Sequence, residues 1–238
     1  VIRSGGIGRV IESKNENFKE GDLVNGFVNW QTHFITSGKG FSVIPEVLPI
    51  PTMLNVLGLT GITAYFGLLD IGKPKEGDTV LVSGAAGATG SVVAQIAKIK
   101  SCNVIGIAGG EEKCAWLADC GIDHIIDYKN SNPQKELKRI ATSGVDIYFD
   151  NVAGDVLNTV MANLALNARI PLSGLLAQYN EKGARLPGPD NFDQLLMKRA
   201  TITGFFCPDF LEDGPRIEAL LSEWYKEGSA LNLIKKGN

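Results

Sequence analysis

Gly84, Gly87 and Gly90 recur at every third position between the apolar run Thr79–Val82 and a stretch that carries Val92, Val93, Ile96 and Ala97 at helical spacing. A strand, a glycine-rich turn and a helix in that order can hold a diphosphate. Small residues there permit a tight turn, bring backbone N–H groups close to the anion and let helix and strand pack tightly, while the helix N-terminus attracts negative charge. The spacing alone is weak, because a glycine-rich turn in another α/β protein would share it. A second β-rich segment, Cys102–Ala108, follows at the distance expected of a dinucleotide-binding unit. Asn151 follows the segment VDIYFD, at the carboxyl end of a further expected strand, where α/β sheets place ligands. The same residue type is equally at home in a turn that opens a helix. His33 and His124 are far apart in sequence, and Cys102, Cys114, Cys120 and Cys207 form no CxxC pair, so no metal is expected and buried thiols are.

These residues sit in a chain of 238 residues with 44% hydrophobic content, enough for one or two domains with a substantial core. A net charge of −3, with Lys and Arg scattered, offers no basic footprint for nucleic acid or an anionic membrane surface. No apolar run approaches the roughly 18 residues of a membrane span and no signal peptide is read at the start, so a cytoplasmic location is expected.

Along the chain, residues 1 to about 50 carry short β signals: GGIGRVIES, a turn at Glu20–Asp22, LVNGFVNW and THFIT. From Pro51 the punctuation becomes helical, and TGITAYFGLLDIG suits a buried helix packed between two lobes, closed by Pro74 and the turn KEGD. Strands and helices then alternate. The expected segments are Thr79–Ser83, Ser91–Lys100, Cys102–Ala108, Glu111–Asp119, His124–Asp127, Pro133–Ile140, Val145–Asp150, Val156–Leu164 and Arg169–Ser173. Helix Phe192–Lys198, strand Ala200–Phe205 and helix Pro215–Lys226 follow. Such alternation predicts a parallel sheet covered on both faces, an α/β fold.

The phrases GGIGRVIESKNENFKEGDLV, LGLTGITAYFGLLDIG, SGAAGATGSVVAQIAK, IDYKN, FDNVAGDVLNTV and AQYN resemble, in order and spacing, the medium-chain dehydrogenase/reductase superfamily. Within it they are similar to the zinc-independent, NADPH-dependent alkenal/one reductases that include the prostaglandin reductases. The resemblance implies a Rossmann-type doubly wound parallel sheet over 51–228 with a connecting helix, preceded at 1–50 by part of a GroES-like β-rich catalytic domain. A closing helix fragment at 229–238 would return to that domain. It also implies an incomplete chain, with residues absent before Val1 and between about Gly228 and Ala230. Ser4 stands where zinc-dependent members carry a histidine and VNWQTHF brings no cysteine, so neither zinc site is expected.

By the same resemblance, Gly87, Ala88, Thr89 and Gly90 would hold the cofactor pyrophosphate. Lys113, with Gly110 and Tyr128, would hold the 2′-phosphate of NADPH; Gly110 departs from the family's serine, and Glu111 offers the alternative of an acid suited to NAD. Asn151 would contact the cofactor, and Ser173, Gly174 and Leu175 would lie along the nicotinamide. Tyr179 would stand at the reaction centre, unless it is simply a surface aromatic. Thr63, Tyr65, Phe205, Phe206 and Cys207 would line the cofactor side of the cleft, with core packing an equal reading, and Asn238 would close the site. The implied reaction sends hydride to the β-carbon of an α,β-unsaturated aldehyde or ketone, with the Tyr179 hydroxyl and the cofactor ribose hydroxyl steadying the charge on the carbonyl oxygen. Quinone reduction with NADPH and a non-enzymatic NADPH-binding role remain the alternatives. The expected partners are a small enone or alkenal and a second copy of the chain.

Overall fold

The computed structural model of the chain describes residues 3–46, 49–179 and 188–226. Contacts divide the chain into two units, Val1–Asn55 and Val56–Asn238, a boundary slightly later than the change of pattern at Pro51. The fragment expected as a closing helix, 229–238, lies outside the described residues.

In the first unit, strands β1 (Arg3–Arg9), β2 (Leu23–Asn29) and β3 (Phe41–Val43) form an antiparallel sheet in that order. The predicted turn at Glu20–Asp22 joins the first two: the Val10 amide donates to Asp22 O at 2.9 Å, and the Gly21 amide to Val10 O at 2.9 Å. Thr32–Thr36, read as β from its residue types, lies outside the sheet. Its Ile35 is fully exposed, so the β-branched side chain has no face to bury, and the third strand forms instead at Phe41, whose ring lies 5.6 Å from that of Phe34.

The second unit is built on six parallel strands: β4 (Thr79–Ser83), β5 (Asn103–Ala108), β6 (His124–Asp127), β7 (Val145–Phe149), β8 (Leu164–Leu172) and β9 (Thr201–Gly204). Their order is β6-β5-β4-β7-β8-β9. The chain winds outward in one direction from β4 and then returns to lay β7 on its other side. A crevice therefore opens at the carboxyl ends of β4 and β7, the switch point of a doubly wound sheet. Val80, Leu81 and Val82 are all fully buried because both faces of the sheet are covered, which is why this strand reads as an unbroken apolar run.

The helices are α1 (Leu59–Tyr65), α2 (Ala88–Ile99), α3 (Glu111–Asp119), α4 (Pro133–Ile140), α5 (Gly154–Met161), α6 (Asp193–Lys198) and α7 (Gly214–Lys226). The first continues as a π-helical stretch, Phe66–Gly72, and stops where Lys73 takes a left-handed conformation. α4 shows why its limits were readable: the Asn132 side chain accepts the Lys135 amide at 3.0 Å, and Pro133 opens the helix.

One expected helix is shorter at its end, because Leu164 belongs to β8 rather than to α5. β8 accordingly begins well before Arg169. Val145 pairs with Leu164 and Ile147 with Arg169, and the extra residues of β8 are absorbed around Asn167, at φ 61°. Periodicity cannot reveal such a register shift. Leu81 is fully buried within the central sheet; Leu81→Ala is expected to lower the unfolding free energy by about 2–5 kcal/mol in urea titrations followed by circular dichroism.

Candidate functional site

Immediately after β4 the backbone turns through Gly84, at φ 59°. The Gly84 carbonyl accepts the Gly87 amide at 2.9 Å, and a side chain on Gly90 would drive its Cβ into that same carbonyl. Ala85 N donates to Ile107 O at 3.0 Å, tying the turn to β5. α2 then starts with Ala88, and its opening amides have no intrahelical acceptor. Gly87 and Ala88 are exposed, Thr89 is half-buried and Gly90 is buried. An anion can therefore approach the opening turn of α2 directly, where the helix dipole favours it.

At the end of β7, Asp150 is fully buried. Its Oδ1 accepts the Tyr148 hydroxyl at 2.7 Å, the Ser83 hydroxyl at 3.2 Å, and the amides of Val152 and Ala153 at 2.9 and 2.8 Å. Burial, followed by the neighbouring Asp150 charge, pushes the Tyr148 phenol well above its ordinary pKa, so it is a fixed donor. The next residue, Asn151, donates its backbone amide to Ser83 Oγ at 3.0 Å and its side-chain amide to Ser83 O at 2.8 Å. Part of the Asn151 side chain thus braces the turn, but it does not cap α5, whose N-cap is Ala153 with no side-chain bond.

β8 ends against the same residues. Ser173 N and Gly174 N donate to Asp150 O at 2.8 and 3.2 Å, and Leu176 N donates to Asn151 O at 3.2 Å. Ser173 and Gly174 are half-buried and Leu175 is more open. The structure therefore brings Gly84, Asn151 and Ser173–Leu175 together. Tyr179 follows the short 3-10 segment Leu176–Gln178, with 69% of its surface exposed.

A second group forms where β5 and β6 end. Gly110, at φ 99°, precedes α3, and nothing lies within 4 Å of where its side chain would project. Asp127 Oδ1 accepts the amides of Gly110 and Lys129, each at 3.0 Å, and Oδ2 accepts Asn130 Nδ2 at 2.8 Å. The Tyr128 ring lies against the backbone of Gly109, and its surface is 52% exposed. Lys113 is exposed on the first turn of α3, as is Glu111. The residue missed in the sequence is Asp127, which holds the turn between them.

Thr63 and Cys207 meet at one carbonyl: Leu59 O accepts the Thr63 hydroxyl at 2.7 Å and the Cys207 thiol at 3.7 Å. Half-buried Phe205 packs edge-on to Phe149, with centroids 6.2 Å apart, while Phe206 is exposed. Tyr65 is a core residue with its hydroxyl 3.5 Å from Arg216 Nη1. Asn238 lies outside the described residues. Of the cysteines expected to be buried, only Cys102 is; burial pushes its thiol up to about 11. Cys114, Cys120 and Cys207 are half-buried, because α3 is anchored by Leu117 alone among its residues and Cys207 opens a peripheral 3-10 segment. Among the described residues, no group of three or more His, Cys, Asp or Glu is placed to hold a metal ion. No helix among them is long and apolar enough to cross a membrane.

Residues 88–223 match the family model described as zinc-binding dehydrogenase, and residues 1–44 match that of the N-terminal domain of oxidoreductase. The chain is 41% identical to prostaglandin reductase 1 of Rattus norvegicus over 229 residues, covering 93% of this chain and 69% of that protein. It is 35% identical to the NADP(+)-dependent 2-alkenal reductase of Nicotiana tabacum over 234 residues, covering 97% of this chain and 68% of the relative. The crystal structure of CurA in complex with NADPH from Vibrio vulnificus superposes with a TM-score of 0.88 at 41% identity, covering 97% of this chain and 70% of that one. This chain belongs to the medium-chain dehydrogenase/reductase superfamily, and its Rossmann-type parallel sheet is that superfamily's nucleotide-binding fold.

The Asp127 carboxyl is held below the usual range, chiefly by the Gly110 amide. A depressed folded-state pKa adds stability above the unfolded value of about 3.9, and that stability is lost as pH falls through the lowered folded value. Asp127→Asn is expected to be less stable than wild type at neutral pH, with the gap closing toward strong acid. Urea unfolding of both proteins at a series of pH values reads this directly; a gap that is constant with pH would contradict it.

Proposed function

We propose that this chain is a reductase that uses NADPH to saturate the carbon–carbon double bond of α,β-unsaturated aldehydes or ketones. The observation that carries the reading is the convergence of the Gly84–Gly90 turn, Asn151 and Ser173–Leu175 at the sheet's switch point. The names of the prostaglandin and 2-alkenal reductases, which match 93% and 97% of this chain, support the reaction class.

The residues present fit the cofactor. The absence of a side chain at Gly90 leaves α2 seated on its turn with its opening amides unpaired within the helix, so Gly87, Ala88, Thr89 and Gly90 take the pyrophosphate. Open space at Gly110, the ring of Tyr128 over Gly109 and the cation of Lys113 take the 2′-phosphate. Asn151, Ser173, Gly174 and Leu175 border the nicotinamide. Thr63, Phe205, Phe206 and Cys207 line that side of the cleft, Thr63 by packing, since its proton is already given to Leu59 O. Asn238, which the resemblance assigns to the same cofactor, stands outside this geometric support.

When bound, NADPH supplies the hydride that reaches the β-carbon. The chain's part is to place the acceptor and meet the charge that grows on its carbonyl oxygen. Tyr179, exposed on the loop after β8, donates its hydroxyl as a hydrogen bond to that oxygen. Protonation of the α-carbon completes the saturated product. The protein works in the cytoplasm as a homodimer.

The deciding assay follows NADPH oxidation by the full chain with a medium-chain 2-alkenal, with a simple quinone and without substrate, and repeats all three with NADH. Turnover of the alkenal to the saturated aldehyde with a preference for NADPH supports the reading; turnover of quinone alone, or cofactor binding without turnover, overturns it. Tyr179→Phe is expected to lower kcat by about 100-fold or more. Lys113→Ala is expected to raise the KM for NADPH about tenfold while leaving that for NADH nearly unchanged, a loss of about 1.4 kcal/mol confined to the phosphate.

A further inference from the structure

Asp150 is the most deeply buried carboxylate at the site, and the reaction proposed above gives it no task. Its surroundings join three strand ends. Oδ1 gathers Ser83 from β4, Tyr148 from β7 and the two amides that lead into α5. Its backbone N donates to Pro171 O at 2.9 Å, and its backbone O accepts Ser173 and Gly174 from the end of β8. Oδ2 is buried with no hydrogen-bond partner among the described residues. Keeping a carboxylate there carries a desolvation cost that an apolar residue would avoid.

Ala153 shows what that carboxylate restrains. It sits at φ 62° and ψ −154°, a conformation that costs a residue with a Cβ and is otherwise left to glycine. Its amide is one of the four donors on Asp150 Oδ1, at 2.8 Å. The strained turn thereby carries Asn151 back onto Ser83, whose hydroxyl accepts the Asn151 amide while donating to Asp150.

We propose that Asp150 is the positioning residue for the nicotinamide end of the site, fixing Asn151 and Ser173–Gly174 against the β4 turn while leaving the adenosine end untouched. This rests on the NADPH reading. The adenosine end is organised separately, through Asp127 and Gly110 at the tips of β5 and β6. A general structural defect would weaken both ends alike; a positioning role weakens one.

The test measures dissociation constants of NADPH and of adenosine 2′,5′-bisphosphate, by fluorescence and calorimetry, for the full chain, Asp150→Asn and Ser83→Ala. Asn at position 150 keeps an acceptor for the helix amides but turns an NH2 group into the buried position of Oδ2. Ser83→Ala removes the shared hydroxyl with a smaller change in packing, and carries the test if the first variant does not fold. Asp78→Asn serves as the control, because it breaks the 2.9 Å ion pair with Arg169 at the amino end of β4, far along the strand from the turn.

Each site variant is expected to bind NADPH about tenfold more weakly, while adenosine 2′,5′-bisphosphate stays within about twofold and Asp78→Asn changes neither. Equal weakening of both ligands, or unchanged NADPH binding, overturns the positioning role. A wild-type protein that binds neither ligand overturns the cofactor reading itself, and this inference with it.

Discussion

Everything at the switch point depends on how closely α2 sits on the end of β4. The Gly84 carbonyl is the limiting object: it accepts the Gly87 amide, and Gly90 passes so near that a single methyl group would collide with it. Lifting the helix to relieve that collision would withdraw its opening amides from the crevice and break the bond from Ala85 to β5. Burial holds the arrangement in place. Val92, Val93, Ile96 and Ala97 of the helix and Val80–Val82 of the strand are fully buried, so the helix has no apolar surface to trade for a different seat.

Two aspartates organise the two ends of the site by opposite physical means. Asp127 lies in a partly open turn, is well satisfied by backbone amides and prefers to be charged. Asp150 lies out of contact with water and concentrates its donors on one oxygen. In low dielectric such a hub is stiff, because moving any one donor leaves a buried group uncompensated. The tips of β5 and β6 can thus adjust, whereas the switch point is held.

Much of this was legible in the letters, for reasons tied to particular elements. β4, β6, α3 and α4 fall where expected, and for α4 the local reason is visible, since Asn132 caps it and Pro133 opens it. The start of β8 was hidden because a register shift leaves no periodic trace. Thr32–Thr36 misled because β-branched residues signal a strand only where there is a face to bury. In the site, the glycine turn announced itself through spacing within one short segment. The Asp150 hub did not: its partner Ser83 lies 67 residues away, and an aspartate after an apolar strand reads as ordinary turn chemistry. Only the folded sheet makes them neighbours.

The backbone of Ala153 carries a last consequence, one for sequence drift rather than chemistry. A residue with a Cβ at φ 62° and ψ −154° stands at the edge of what its backbone tolerates. Glycine is the one replacement that relaxes the turn without moving it, whereas any larger side chain adds its own steric demand to a conformation already disfavoured. Variation at this position is therefore one-directional, open toward glycine and closed toward bulk, although the residue is buried. A methyl group that does nothing visible sets the boundary of the sequences this turn can explore.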